Sequence, residues 1–316
     1  MSIPPSPKIA VMGAGAVGCY FGGMLARAGN SVTLIGRPQH VDAVNRAGLW
    51  LESLAFAEFV PMRAATDVSA ARDADLVLFC VKTPDSANAA RELAPFIKPG
   101  AVILSLQNGV DNVARIRPHA TGPVIPAVVY VAATMTGPGR IKHGGRGDLI
   151  IGTQGAAPSR AAAEHNAVTE LAALFGRAAI LCRVAENVEA DLWEKLLMNC
   201  AYNAISALGR AHYGRIALNA PAMQTAIAAG QEVLAVAKAS GVRMPDRDLI
   251  GAAVKLASMM TTATSSTAQD IARGKRTEID DLNGFVVERG RAVNVPTPVN
   301  QTLHALVKLL EEASHD

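Results

Sequence analysis

The sequence predicts an α/β protein in which a doubly wound parallel sheet is followed by an all-helical domain. As far as about residue 186, short β-branched runs alternate with helical stretches, which is typical of parallel strands covered by helices. Beyond that residue the strand pattern stops, and only helical periodicity follows. We therefore expect two domains, residues 1–186 and residues 187–316.

The composition of the 316 residues indicates a folded protein with a sizeable core, because half are hydrophobic and only 18% are charged. The 30 Lys and Arg residues nearly balance the 27 Asp and Glu residues and form no charged block. We therefore expect no binding to nucleic acid or to a membrane. Four scattered cysteines without a CxxC pair predict reduced thiols and a cytoplasmic protein. No group of His and Cys has zinc-binding spacing, so we expect no metal.

The elements of the first domain follow from β-branched runs and from the helical spacing of apolar residues. The predicted strands are Lys8–Met12, Ser31–Ile35, Asp75–Val81, Ala101–Leu106, Val124–Met135, Arg140–Lys142, Asp148–Gly152 and Ala179–Cys182. The predicted helices between them are Val17–Ala28, Pro84–Leu93 and Ser159–Phe175.

The second domain is predicted to contain helices alone. They are expected at Asn187–Leu208, Asn219–Ser240, Asp246–Met260, Glu278–Arg291 and Pro298–Glu312. The second of these has the clearest boundaries, with Asn219 as its N-cap, Pro221 in its first turn and Gly241 just beyond its end.

A glycine motif, Gly13-Ala14-Gly15-Ala16-Val17-Gly18, directly follows the first predicted strand and precedes the first predicted helix. Without Cβ atoms, the first two glycines allow a tight turn and the close approach of a pyrophosphate, and the third lets the helix pack near the strand. The helix N-terminus offers N–H groups to that phosphate. The context favours a dinucleotide site over a purely structural turn. The fold class is therefore an N-terminal Rossmann-like doubly wound sheet followed by an all-helical C-terminal domain.

The end of the second predicted strand indicates which dinucleotide binds. NAD-binding domains usually have an Asp or Glu there to bind the ribose 2′-hydroxyl, but no acidic residue lies between Asn30 and Val41. Arg37 occupies this segment, and its planar guanidinium suits a 2′-phosphate. The alternative is a solvated surface arginine. We expect NADP(H) as the cofactor.

Three polar residues follow one another at helical spacing in the first helix of the second domain. Lys195, Asn199 and Asn203 are four residues apart and share one face among largely apolar neighbours. A lysine in such surroundings is a plausible proton donor near neutral pH, and amides are suited to fixing a small polar substrate. The alternative is a surface lysine with two mid-helix asparagines, although Asn is a poor helix former.

Together, these motifs and several others resemble the ketopantoate reductase (2-dehydropantoate 2-reductase) family over most of the chain. The matching segments are Gly13 to Gly18, Arg37, Val81-Lys82, Gln107-Asn108-Gly109, Leu192-Trp193-x-Lys195-Leu196-x-x-Asn199, Gln269-Asp270, Thr277-Glu278-Ile279-Asp280-x-x-Asn283-Gly284 and Pro296-Thr297-Pro298. The resemblance implies that NADPH reduces the ketone carbon of ketopantoate to give pantoate, a precursor of pantothenate and coenzyme A. An apolar helical half is also compatible with a homodimer.

The resemblance also implies roles for individual residues. Lys195 would be the general acid and would contact the substrate together with Asn199, Asn203 and Ser266. Lys82, Asn108 and Glu278 would border the cofactor, and Asn108 would also lie near the reacting carbonyl. The position of Lys82 after a buried strand supports a function independently, because ligands bind at the carboxyl edge of open α/β sheets.

Two positions depart from the family's pattern. Ala263 stands where the family often has an Asn three residues before the substrate-binding Ser266, and Tyr213 stands where it often has an Asn before a Gly. The leading hypothesis is ketopantoate reduction. The alternatives are a related NADPH-dependent reductase of another small 2-keto acid, with Tyr213 changing the substrate preference, and a non-enzymatic NADP(H) sensor.

Overall fold

The computed structural model describes residues 3–155 and 158–313. The chain forms two compact units, one up to Val188 and one from Glu189 onward. Among the described residues, no helix is both long enough and apolar enough to cross a membrane.

The first unit contains one sheet of ten strands with helices on its faces. The strands are β1 (Lys8–Met12), β2 (Ser31–Ile35), β3 (Leu49–Glu52), β4 (Ala57–Val60), β5 (Arg63–Ala65), β6 (Leu76–Phe79), β7 (Val102–Ser105), β8 (Val124–Gly137), β9 (Arg140–Ile151) and β10 (Cys182–Val184). The helices are α1 (Ala16–Arg27), α2 (Pro38–Ala47), α3 (Ser86–Leu93), α4 (Asn112–Ile116) and α5 (Pro158–Arg177).

The strand order β4-β3-β9-β8-β7-β6-β1-β2-β5, with β10 beside β9, confirms the Rossmann-like class. The strands from β5 to β8 in this order are all parallel. β1 lies between β2 and β6, so the chain leaves β1 to one side of it and later continues on the other. The sheet as a whole is mixed, since β8 pairs antiparallel with β9 and β3 with β4.

The central strands are buried on both faces, which explains their continuous apolar sequence. Along β1, Ile9 and Val11 belong to a core that contains Phe21 of α1. The alternate residues Ala10 and Met12 belong to a second core on the opposite face. The sheet is thus the middle layer of three.

Three strand predictions in this unit were wrong. Arg140–Lys142 and Asp148–Gly152 are parts of the single strand β9, in which positive φ angles at Arg146 and Gly147 absorb an irregular register with β8. The strand predicted at Ala179–Cys182 begins only at Cys182, because the chain is still ending α5 at a left-handed Ala179 with φ of +57°.

The second unit is helical throughout its described residues, as predicted. Its helices are α6 (Val188–Leu208), α7 (Tyr213–Ala217), α8 (Ala220–Ala239), α9 (Leu249–Met259), α10 (Ser266–Ala272), α11 (Asn283–Ala292) and α12 (Pro298–Ala313). Asn219 caps α8 as expected, accepting a hydrogen bond from the N–H of Ala222 at 3.0 Å.

The helix predicted at Glu278–Arg291 is interrupted. Residues Ile279–Asp281 form a 3-10 turn, and Leu282 leaves helical geometry with ψ of −97° before α11 begins at Asn283. The side chain of Asn283 accounts for the break, because it is buried and bonded to groups outside its own helix, including the carbonyl of Cys200 at 3.2 Å.

Candidate functional site

The glycine loop after β1 is packed so tightly that two of its positions accept only glycine. Gly13 has a φ of +103°, and a Cβ there would lie 2.8 Å from the backbone of Cys80, at the end of β6. A Cβ on Gly18 would lie 2.3 Å from the carbonyl oxygen of Gly13. The N–H of Gly13 also donates to the carbonyl of Ile35 at 3.2 Å. The loop is therefore held between the ends of β2 and β6.

The middle glycine of the loop, in contrast, is not packed against other atoms. Gly15 is exposed, is the N-cap of α1, and has no atom within 4 Å of the place a Cβ would take. The first turn of α1, which begins with the half-buried Ala16 and Val17, contains no acidic side chain. Because a helix N-terminus attracts anions, this open position fits the pyrophosphate of a dinucleotide.

Two further candidate residues follow neighbouring strands at the same edge of the sheet. Lys82 comes shortly after β6, and Asn108 after β7; both are half-buried. The hydroxyl of Thr83 donates to the carbonyl of Asn108 at 2.9 Å, and the side chain of Asn112 donates to the same carbonyl at 2.6 Å. These bonds join the loop after β6, the strand next to β1, to the loop after β7. The strand order reverses between β1 and β6. Ligands bind at this kind of position in open α/β sheets.

Arg37 lies close to the glycine loop. It directly follows Gly36, and a Cβ on Gly36 would lie 2.7 Å from the Cβ of Ala14. Arg37 is exposed and precedes α2 without capping it through its side chain. Its guanidinium makes no ion pair or hydrogen bond to any residue within 3–155 or 158–313, and it is therefore available to an anionic ligand.

The polar face predicted for the first helix of the second unit is present on α6. Lys195 and Asn199 are half-buried, and Asn203 is only 3% exposed. The intervening Leu196 and Cys200 are buried in the apolar interior of this unit. A cationic side chain thus shares one face of a largely apolar helix with two amides, as the spacing predicts.

The structure places Tyr213 and Ser265, the residue before Ser266, against Asn203. The hydroxyl of Tyr213 donates to Oδ1 of Asn203 at 3.2 Å, and the hydroxyl of Ser265 donates to the carbonyl of Asn203 at 3.1 Å. Ser265 caps α10, and Ser266 is the exposed first residue of that helix. The two positions that depart from the family's pattern are also neighbours, since the N–H of Tyr213 donates to the carbonyl of Ala263 at 2.9 Å.

Glu278 is half-buried in a segment anchored to α12. On one side of it, the N–H of Thr277 donates to Glu311 at 2.6 Å. On the other side, Asp280 accepts hydrogen bonds from His304 at 2.7 Å and Lys308 at 3.0 Å. Burial alone would raise the pKa of Asp280, but these hydrogen bonds outweigh it and hold the pKa below its ordinary value.

Two residues that hold candidate segments in place, one in each unit, were not singled out for a role by the sequence analysis. Thr83 is fully buried and joins the loops after β6 and β7. Asn283 ties the segment after Glu278 to the carbonyl of Cys200 on α6, and it bonds to Asn300 at 2.9 Å. No local pattern reveals these contacts, because each bridges segments distant in sequence. The only signal was that Asn283 belongs to a motif shared with the family.

Comparison with known proteins matches both units to one family. The family model described as ketopantoate reductase PanE/ApbA matches residues 9–155, and the model of its C-terminal domain matches residues 187–311. A 2-dehydropantoate 2-reductase of Pyrococcus horikoshii is 33% identical, covering 96% of this chain and 97% of that protein. One of Halobacterium salinarum is 34% identical, covering 96% and 99%.

A solved structure gives the same result. The crystal structure of a PanE/ApbA family ketopantoate reductase from Ralstonia eutropha is 47% identical to this chain and superposes with a TM-score of 0.90, covering 98% of this chain and 100% of that one. Both halves of the chain are therefore matched in sequence and in fold. The chain belongs to the ketopantoate reductase family.

Proposed function

We propose that this protein is an NADPH-dependent 2-dehydropantoate 2-reductase, which reduces ketopantoate to pantoate for the synthesis of pantothenate and coenzyme A. The observation that carries the proposal is the face of α6 on which Lys195, Asn199 and Asn203 lie. A proton donor beside two amides suits the reduction of a small polar ketone. Membership of the ketopantoate reductase family supports ketopantoate as that ketone.

The first unit supplies the cofactor site in this proposal. The open position at Gly15 and the N-terminus of α1 hold the pyrophosphate, and Arg37 binds the 2′-phosphate. Lys82 and Asn108 border the cofactor from the adjacent loops. When bound, the reduced nicotinamide supplies the hydride that reduces the ketone carbon. The absence of an acidic residue between Asn30 and Val41 supports the phosphorylated cofactor.

The second unit supplies the substrate and proton-transfer groups. Asn199, Asn203 and Ser266 bind the keto acid, and Glu278 contacts the nicotinamide ribose. The ammonium group of Lys195 stabilises the negative charge that develops on the carbonyl oxygen and then donates its proton there. The carbon–oxygen double bond thereby becomes a hydroxyl, and the lysine regains a proton from solvent. Each turnover consumes one NADPH and one proton.

Replacing the proton donor tests this function. Lys195→Ala is expected to lower kcat with ketopantoate by about 10²–10⁴-fold, because general acid catalysis contributes on that scale. NADPH oxidation followed by absorbance at 340 nm measures turnover, and titration of NADPH fluorescence measures cofactor binding, which should be unchanged. Lys238→Ala, at an exposed position on α8, is the matched control. Normal turnover by Lys195→Ala would remove Lys195 from the mechanism, and an inactive wild-type protein would refute the proposed function.

A further inference from the structure

Tyr213 occupies a fixed position beside the polar face of α6. Its N–H donates to Ala263, and the N–H of Gly214 donates to the carbonyl of Thr261 at 3.1 Å. Only glycine fits after Tyr213, because a Cβ on Gly214 would lie 2.8 Å from the backbone of Thr261. The ring of Tyr213 packs against Tyr202, with 5.3 Å between ring centroids. These contacts leave the Tyr213 hydroxyl little freedom.

That hydroxyl contacts the side chain of a substrate-binding candidate. It donates to Oδ1 of Asn203, the acceptor atom of the amide. Burial, together with the neighbouring Tyr202, raises the pKa of Tyr213 to about 12, so the phenol keeps its proton at neutral pH and remains a donor. Among the described residues, the amide nitrogen of Asn203 takes part in no hydrogen bond. The amide therefore has its acceptor engaged and both its N–H donors available.

We propose that Tyr213 is a positioning residue, which fixes the Asn203 amide so that it offers N–H donors to an acceptor oxygen of the bound keto acid. The inference rests on the proposed function. It also gives a reason for the tyrosine at position 213, where the family often has an Asn. A tyrosine hydroxyl from α7 specifies the polarity of an amide on α6, and the substrate group at this position must accept hydrogen bonds. A group that only donates is disfavoured there, because it would compete with Tyr213 for Oδ1.

A double-mutant cycle tests the proposal. Tyr213→Phe keeps the ring and removes the hydroxyl, Asn203→Ala removes the amide, and the third variant carries both changes. We expect Tyr213→Phe to raise KM for ketopantoate by about 3–10-fold, the usual worth of one hydrogen bond, with kcat changed by less than about 2-fold. In the Asn203→Ala background, Tyr213→Phe should have no further effect on KM.

Tyr202→Phe is the matched control. Tyr202 is the residue before Asn203, and its hydroxyl donates to the carbonyl of Ala253 at 3.1 Å instead. Both single variants lose one hydrogen-bonded tyrosine hydroxyl and should lower the thermal unfolding midpoint similarly. Only Tyr213→Phe should change KM. A shift of KM in both variants, or independent effects of Tyr213→Phe and Asn203→Ala, would overturn the proposal.

Binding is also measured without turnover, so that the inference and the function can fail separately. Calorimetric titration of ketopantoate into the NADP⁺-bound protein measures a dissociation constant for the wild type and for each variant of the double-mutant cycle. If ketopantoate binds with the expected coupling but is not reduced by NADPH, the proposed function fails and the role of Tyr213 stands. If turnover is normal and the coupling is absent, only the role of Tyr213 fails. If ketopantoate does not bind, both fail.

Discussion

The proposed preference for NADPH depends on one exposed side chain, that of Arg37. It lies one residue beyond Gly36, which packs against the glycine loop, and no described residue neutralises its charge. A ribose 2′-phosphate carries the charge that such a guanidinium binds through paired hydrogen bonds, whereas a 2′-hydroxyl does not. Discrimination between NADPH and NADH is therefore expected to reside in this residue.

Arg37→Ala should raise KM for NADPH by about 10–100-fold and change KM for NADH by less than about 2-fold, because a hydrogen bond to a charged group contributes on that scale. Initial rates with each cofactor at saturating ketopantoate measure both values. The control is Arg46→Ala, which changes an exposed arginine in the last turn of α2, the helix that Arg37 precedes. It should change neither KM. Equal weakening of NADPH and NADH would mean that Arg37 does not bind the 2′-phosphate.

At the scale of single residues, the sequence predicts a role where the pattern that indicates it lies in a few neighbouring positions. Gly13 follows a strand directly, and Lys195 and Asn199 are one helical turn apart, so a short window of sequence contains the whole pattern. Thr277 and Asn283 differ, because their partners Glu311 and Asn300 lie 34 and 17 residues away. No window of sequence shows that these polar side chains are buried together, so their structural role emerges only from the fold.

At the scale of elements, β9 contains an irregular stretch whose glycine-rich sequence resembles a turn. Its central residues include three glycines, and the register with β8 shifts there. Gly147 has a φ of +131°, and a Cβ on it would lie 2.2 Å from the hydroxyl of Tyr20 on α1. The ring of Tyr20 stacks on His143, with 4.3 Å between ring centroids. The irregular part of β9 is therefore shaped by its contact with α1.

Gly147→Ala is expected to destabilise the protein by about 1–3 kcal/mol, because the new methyl group both strains the backbone and displaces Tyr20. Thermal unfolding followed by circular dichroism measures the lowered midpoint. The control is Gly144→Ala in the same strand, where the nearest atom to the new Cβ is 3.7 Å away and φ is not in the left-handed region. A midpoint for Gly147→Ala equal to that of Gly144→Ala would contradict this account.

The elements that were predicted well have long or fully apolar patterns. Strands β1 and β2 and helix α8 were placed within one residue of their observed ends. The segment from α2 to β5 received no prediction, and β3, β4 and β5 contain only four, four and three residues. Strands this short contain too few alternating apolar and polar residues to be recognised in the sequence. They form because neighbouring strands offer them hydrogen bonds.

At the scale of the whole molecule, one buried histidine joins distant parts of the first unit. The N–H of Gly139, between β8 and β9, donates to Nδ1 of His40 on α2 at 2.9 Å. Nδ1 is therefore unprotonated, and the neutral ring carries its proton on Nε2, which lies 3.3 Å from Sγ of Cys19 on α1. Burial lowers the pKa of His40 below the ordinary value of 6.5, so the folded protein favours the neutral ring.

This arrangement predicts a stability that depends on pH. Because the folded-state pKa is the lower one, the contribution of His40 is fully present above about pH 6.5 and is lost as pH falls through the folded-state pKa. Chemical unfolding at about pH 8 and about pH 5 measures the loss. His40→Gln should lose less stability than the wild type over this interval, whereas the exposed His165→Gln should behave as the wild type. Equal losses in wild type and His40→Gln would contradict the prediction.

The position of β3 in the sheet has a consequence for how the chain folds during its synthesis. Trp50 of β3 pairs in parallel with Arg140 of β9, so the two partners are 90 residues apart in the order of translation. At about 5–20 residues per second, β3 emerges roughly 5–20 s before the strand that completes its pairing. During that interval one edge of the β3–β4 ribbon offers unpaired backbone groups to any other strand it meets. A ribosome that pauses before residue 140 prolongs this exposure, so the speed of translation across this stretch bears on the yield of folded protein.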